Sequence, residues 1–238
     1  MRQLGLLVLV IAIGGAFVWS FMRPQSDLLL SGAVAVPMGD GGMYMVGVAV
    51  ENAGPAEILT GVAAPGAQMA HVMGGDGPLA IPAGGTGIFA MDGAHIMVRG
   101  AFDGGFIPLN LSFESGATVA TRAKITEGMM MDHSMANGVQ EDPAPQLSIA
   151  IDGQTLRVTT ENFTMVRTED MADHVPGEGH AHLYLNGLKL ARLYDSAFEI
   201  GDLPSGDYTL RVSLNTHDHR PYLSGSTPVS ETLTLTVP

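Results

Sequence analysis

The chain has 238 residues, 24 acidic against 11 basic side chains, a formal charge of −13 and no cysteine. Its Lys and Arg stand singly, so no basic patch is available to neutralise phosphates, which argues against nucleic acid as a partner. Without cysteine there are no disulfides, thiolate metal sites or thiol nucleophiles; the remaining soft ligand is methionine, of which there are 15.

The first element is an uncharged apolar run, "LGLLVLVIAIGGAFVWSFM" (4–22). At about 1.5 Å per residue it nearly matches a hydrocarbon core of about 30 Å. Trp19 falls where membrane-interface aromatics sit, and "RPQSD" follows without a small-x-small cleavage site. The expectation is a signal-anchor over residues 1–26, with the rest of the chain on the periplasmic side of the inner membrane. The alternative is a long cleavable signal peptide and a soluble periplasmic protein.

Beyond it, 31 Gly and 14 Pro punctuate short alternating segments. These are "MYMVGVAVEN" (43–52), "AEILTGVAA" (56–64), "GTGIFAM" (85–91), "AHIMVRGA" (94–101), "IPLNLSFES" (107–115) and "ATVATRAKI" (117–125). Their spacing predicts an all-β sandwich or barrel over 27–126. Two stretches in this series, "QMAHVM" (68–73) and "GAHIMVRG" (93–100), each carry a histidine and a methionine two residues apart: His71/Met73 and His95/Met97. In a strand such residues share a face. A thioether is soft and uncharged and suits Cu(I), and an imidazole remains a good ligand when copper is oxidised. Taken singly, any of these methionines is equally a flexible core filler.

Residues 33–125 resemble the periplasmic copper chaperone family PCuAC. The matching pieces are "YMVGVAVENAGPAEILTGVAAPGAQMAHVM", "IPAGGTGIF", "GAHIMVRG" and "IPLNLSFESGATVATRAKI". The resemblance implies a cupredoxin-like fold and a Cu(I) site in which His71 is the early histidine and His95 and Met97 the later pair. It implies delivery of copper to an acceptor cuproprotein, such as the CuA-bearing subunit II of cytochrome oxidase, alongside a Sco-type protein. One departure stands out. The family's intermediate methionine is missing, since residues 74–90 contain none. Met73 is the nearest substitute, with Met69 and Met91 behind it.

"TEGMMMDHSMANGVQEDPAPQ" (126–146) lacks apolar periodicity and ends in alternating proline, so 127–145 reads as a linker. Its "MMMDHSM" is either a tether or a flexible copper-capturing tract. A second β series follows over 146–238: "LSIAIDG" (147–153), "QTLRVTTENFTM" (154–165), "HAHLYLNGLKLARLY" (180–194), "SGDYTLRVSLNTHDH" (205–219) and "SETLTLTVP" (230–238). Asn186-Gly187 predicts a hairpin.

This second unit holds two His-x-His pairs, His180/His182 and His217/His219. If both lie in strands, each pair shares a face and four imidazoles can converge, with Met165 as an added ligand and Met171 and His174 upstream. Imidazole-rich sites suit Cu(II), Zn(II) or Ni(II) as well as Cu(I). Asp218 is placed to orient a ligand from outside the metal's own shell. "HAH" followed by "GD…P.G" is also similar to the cupin metal motif, but Asn186 stands where a cupin carries glutamate, and the expected later histidine is replaced near Thr209.

The sequence thus predicts two all-β domains behind a membrane helix: a copper chaperone with Cu(I) in the first domain and Cu(I) or Cu(II) in the second, and no enzyme. The competing readings are a copper buffer or resistance protein without specific transfer, and a cupin-like metalloenzyme.

Overall fold

The computed structural model of the chain describes residues 27–126, 137–169 and 172–238. The expected anchor at 4–22, the Met-rich tract 129–135 and Met171 lie outside the described residues. Among the described residues, no helix is long and apolar enough to cross a membrane.

The described residues form twenty β-strands, numbered here in chain order, and no α-helix. The all-β expectation holds, and most segments fall where alternation put them: β2 Met43–Asn52, β3 Glu57–Ala63, β6 Thr86–Phe89, β7 His95–Arg99, β8 Phe106–Phe113 and β9 Thr118–Ile125. One long strand was not expected, β1 Leu28–Pro37. Its pairing with β2 shifts register between Ser31 and Val34, with Gly32 at φ 60°. This bulge breaks the period of two that marks a strand in sequence. β1 runs antiparallel to β2 and parallel to β9, closing the first lobe on itself.

Two apolar clusters divide the described chain. The first is built from Val46, Val48 and Val50 of β2, Ile96 and Val98 of β7, and Ile107, Leu109 and Leu111 of β8. The second draws on Leu156 and Val158 of β12 (Thr155–Glu161), Ala181, Leu183 and Leu185 of β14 (Glu178–Leu185), and Leu210, Val212 and Leu214 of β17 (Gly206–Asn215). The expected hairpin is present: β14 and β15 (Leu188–Leu193) are joined by Asn186 and Gly187, at φ 46° and 83°. Positive φ at both turn positions is what favours Asn-Gly there.

The clusters are not independent. β15 hydrogen-bonds to β6 through the Lys189–Ile88 pair, so one sheet runs through both lobes. Leu188, at the start of β15, is fully buried in the first cluster, and Ala80 of the first lobe lies in the second. The hairpin tip is held by backbone bonds from Asp76 N to Asn186 O (3.0 Å) and from Ala94 N to Gly187 O (2.7 Å). A Cβ at Gly93 would run into the Gly187 carbonyl and the Tyr184 ring, so glycine permits this close approach.

Candidate metal centres

The register of three strands assembles the first candidate site. β4 (Met69–Met73) pairs antiparallel with β7, setting His71 opposite Met97 and Met73 opposite His95. Directly opposed residues bring their Cβ atoms to about 4.5–5.5 Å. The alternate residues Ala70, Val72, Ile96 and Val98 pack against the first core, so the two His-Met pairs occupy the opposite face of the same two strands.

On the other side of β7, β2 places Met45 opposite Met97 and Met43 opposite Arg99. Met45, Met97 and His71 therefore stand in one row across three strands. Sequence reasoning missed Met45, although the i, i+2 spacing of "MYM" carries the same signal as His-x-Met. Exposure is graded along this face. Met45 and Met97 are each 8% exposed, His71 and His95 are half-buried, and Met69 and Met73 are 39% and 47% exposed. Met91 lies in the turn before β7, off the face. His95 Nδ1 lies 2.9 Å from the Gly93 carbonyl. That contact assigns its hydrogen to Nδ1 and leaves the Nε2 lone pair for a ligand.

The second candidate centre grows from β14, whose two faces differ. Ala181, Leu183 and Leu185 enter the apolar core; His180, His182 and Tyr184 form the other face. β14 is flanked within the sheet by β15 and β17. His180 and His182 are 3% and 0% exposed. His180 Nε2 lies 2.9 Å from His182 Nε2. His219 completes a group whose ligand nitrogens all lie within 4.8 Å of one another.

The expected four-histidine convergence is corrected to three. β17 ends at Asn215, and residues 216–219 form a tight turn closed by His219 N to Thr216 O (3.0 Å) and Thr216 N to Arg220 O (2.9 Å). His219 takes φ 68°, so the strand alternation that would put His217 and His219 on one face is lost. His219 swings in toward His180 and His182. His217 turns away, with Nδ1 3.2 Å from Thr168 Oγ1 and Nε2 3.8 Å from Glu178 Oε2.

Other expected contributors are engaged elsewhere. Asp218 accepts from Thr216 Oγ1 and from Arg220 Nε (2.8 Å), which shapes the turn. Met165, in β13 (Thr164–Met165), lies beside Gly179 and packs on the apolar cluster. His174 Nε2 pairs with Glu141 Oε1 at 3.2 Å. Asn186 donates to the Pro78 carbonyl and accepts from Thr209 N, pinning the hairpin without facing the histidines.

The partner of His182 comes from the other lobe. Asp92, in the turn between β6 and β7, sets Oδ2 3.0 Å from His182 Nδ1, accepts from Tyr184 OH at 2.9 Å and pairs with Lys189 Nζ. Asp92 and Lys189 side chains are each only 7% exposed. Burial alone would raise the Asp92 carboxyl, but the His182 hydrogen bond and the Lys189 charge outweigh it and hold the group below the ordinary carboxylate range. Burial, and then the Asp92 charge, push the Tyr184 phenol upward, so it stays a donor.

The imidazoles move the other way. Burial, then the neighbouring His182 and His219, bring His180 down to about 2. Burial brings His182 to about 3 against the Asp92 hydrogen bond. His180 and His182 are therefore neutral at physiological pH, the form in which imidazole binds metal. In sequence Asp92 gives no signal, because it stands 88 residues from His180.

Comparison with models of protein families finds no match, and comparison with characterised proteins finds none either. Among solved structures, the copper-bound PCuAC domain from PmoF2 is similar over 43% of this chain and 94% of that domain, at 14% identity and a TM-score of 0.38. The apo PCuAC domain from PmoF1 is similar over 43% of this chain and 95% of that domain, at 18% identity and a TM-score of 0.38. The CupB2 chaperone of Pseudomonas aeruginosa aligns with 88% of this chain and 100% of its own, at 10% identity and a TM-score of 0.26.

Proposed function

We propose that this chain is a periplasmic copper-handling protein, anchored by residues 4–22, with two metal sites of different character. The observation that carries the reading is the register of β4, β7 and β2, which puts His71, Met73, His95, Met97 and Met45 on one face. Two imidazoles and three thioethers with no carboxylate among them favour Cu(I) over hard cations. This also agrees with the cupredoxin-like PCuAC resemblance of residues 33–125. The exposed edge, Met73 and Met69, is where copper enters and leaves, one thioether at a time. An acceptor such as the CuA subunit of cytochrome oxidase, working with a Sco-type protein, is the receiver we assign.

The second site suits retention. His180, His182 and His219 are at most 3% exposed, and an all-imidazole set suits Cu(II) as well as Cu(I). That enclosure favours a copper kept in place, and with it the buffering role for this lobe. The division into a 27–126 domain and a 146–238 domain describes where the two sites lie.

The test is competition of the detergent-solubilised full chain with a Cu(I) chelator. His95→Ala combined with Met97→Ala should abolish the high-affinity Cu(I) equivalent, and Met45→Ala should weaken it. Unchanged affinity in the double variant would show that the face is only a packing surface. Transfer of the bound copper to an apo-acceptor separates the chaperone from the buffer.

A further inference from the structure

The second lobe supplies three histidines, but the group that orients one of them belongs to the first. His182 Nδ1 lies 3.0 Å from Asp92 Oδ2 and 3.1 Å from Tyr184 OH. Tyr184 donates to the same Oδ2, so the phenol oxygen and the carboxylate are both acceptors for an Nδ1–H. The hydrogen of His182 is thereby fixed on Nδ1, and Nε2 carries a lone pair aimed at His180 Nε2, 2.9 Å away. At that separation His180 donates an Nε2–H to His182. For an ion to bind both nitrogens, His180 would carry its hydrogen on Nδ1 instead, so that each ring ligates through Nε2 as a neutral imidazole.

Metal–imidazole bonds of about 2.0–2.1 Å in a tetrahedral shell set ligand nitrogens about 3.3 Å apart. The present spread, within 4.8 Å, closes to that value through small side-chain movements. The next residue, Gly93, has a parallel part: its carbonyl receives His95 Nδ1 in the first lobe. Two consecutive residues of one turn thus hold one histidine of each site.

We propose that Asp92 is the positioning residue of the His180/His182/His219 centre, so that this centre takes a late first-row divalent ion or Cu(I) only when the two lobes are joined through the β6–β7 turn. The proposal rests on the reading of that cluster as a metal site. An anionic acceptor on the far nitrogen raises the basicity of the ligating one and fixes the ring, and loss of such a partner typically costs roughly 10–100-fold in metal affinity. Lys189 and Tyr184 serve the same carboxylate. Lys189 balances its charge in a place where an unpaired anion would be costly.

The experiment uses the full chain in detergent with His71, His95 and His133 replaced by alanine, so that imidazole ligation of added Cu(II) reports on the second lobe. Cu(II) is followed by chelator competition and by electron paramagnetic resonance. His182→Ala should lose the nitrogen-ligated signal. Asp92→Asn, which keeps an acceptor but removes the charge, should bind roughly 10–100-fold more weakly with altered copper hyperfine values.

If Asp92→Asn folds poorly, Asp92→Asn with Lys189→Met leaves no buried charge unpaired and carries the same expectation. Parental affinity and signal in Asp92→Asn, alongside their loss in His182→Ala, would overturn the positioning role. Parental affinity restored in the Asp92→Asn/Lys189→Met double variant would overturn it as well, reducing Asp92 to a structural ion pair. Retention of the signal in His182→Ala would instead overturn the metal centre itself.

Discussion

Replacing His180 by glutamine tests how far burial withholds its imidazole from protons. Burial, then the charges of His182 and His219, holds His180 at about 2 in the folded chain, and burial holds His182 at about 3. Unfolded, both titrate near 6.5. Above that value neither state is protonated, and the full stability is present. Below it the unfolded chain takes up protons that the folded chain refuses, so stability falls as pH drops toward the folded values.

Each refused proton costs about 1.4 kcal/mol per pH unit. Between about pH 6.5 and 4.5, His180 therefore accounts for about 3 kcal/mol and the pair for about 5 kcal/mol. Against a total of about 5–15 kcal/mol for a typical domain, that is enough to bring the metal-free protein near unfolding. Asp92 does not enter this window, because its depressed carboxyl costs stability only below the unfolded value of about 3.9. Urea unfolding of the metal-free chain across this range should give a slope shallower by about 1.4 kcal/mol per pH unit in His180→Gln than in the parent. Parallel pH dependence in the two proteins would refute the reasoning.

Leu188→Ala empties a fully buried position that the second lobe contributes to the first core, and should cost about 2–5 kcal/mol while leaving a single unfolding transition. Separate transitions, with only one lobe shifted, would show that the lobes are energetically independent. If 4–22 is an anchor, the mature protein should retain Met1 and stay with membranes through a carbonate wash; a soluble form beginning near residue 24 would replace the anchor with a cleaved signal.

What could be read in the sequence was local. Alternation located β2, β8 and β9, Asn186-Gly187 located the hairpin, and the i, i+2 rule correctly grouped His71 with Met73, His95 with Met97 and His180 with His182. The same rule failed for His217 and His219, because a hydrogen-bonded turn held by Thr216, Asp218 and Arg220 replaces the strand there. Nothing local distinguishes a strand ending at Asn215 from one ending at His219. Pairings between distant strands were illegible for another reason: Met45 reaches Met97 and Asp92 reaches His182 only through the register and the junction of the lobes. A histidine value near 6.5 belongs to an exposed ring, and the burial that displaces it is a property of the assembled sheet.

The closure of β1 onto β9 also sets an order in time. Every strand of the His-Met face, and the parallel β1–β9 pair that seals it, lies between residues 28 and 125. In a chain made from its N-terminus these strands can pair while the rest is still unfolded, with Leu188 yet to fill their core. The histidine cluster spans Asp92 to His219 and needs β14 seated between β15 and β17. These parts lie further along the chain, so they are completed later. The His-Met face can therefore be assembled before the enclosed histidine cluster, which waits for the last strands of the chain.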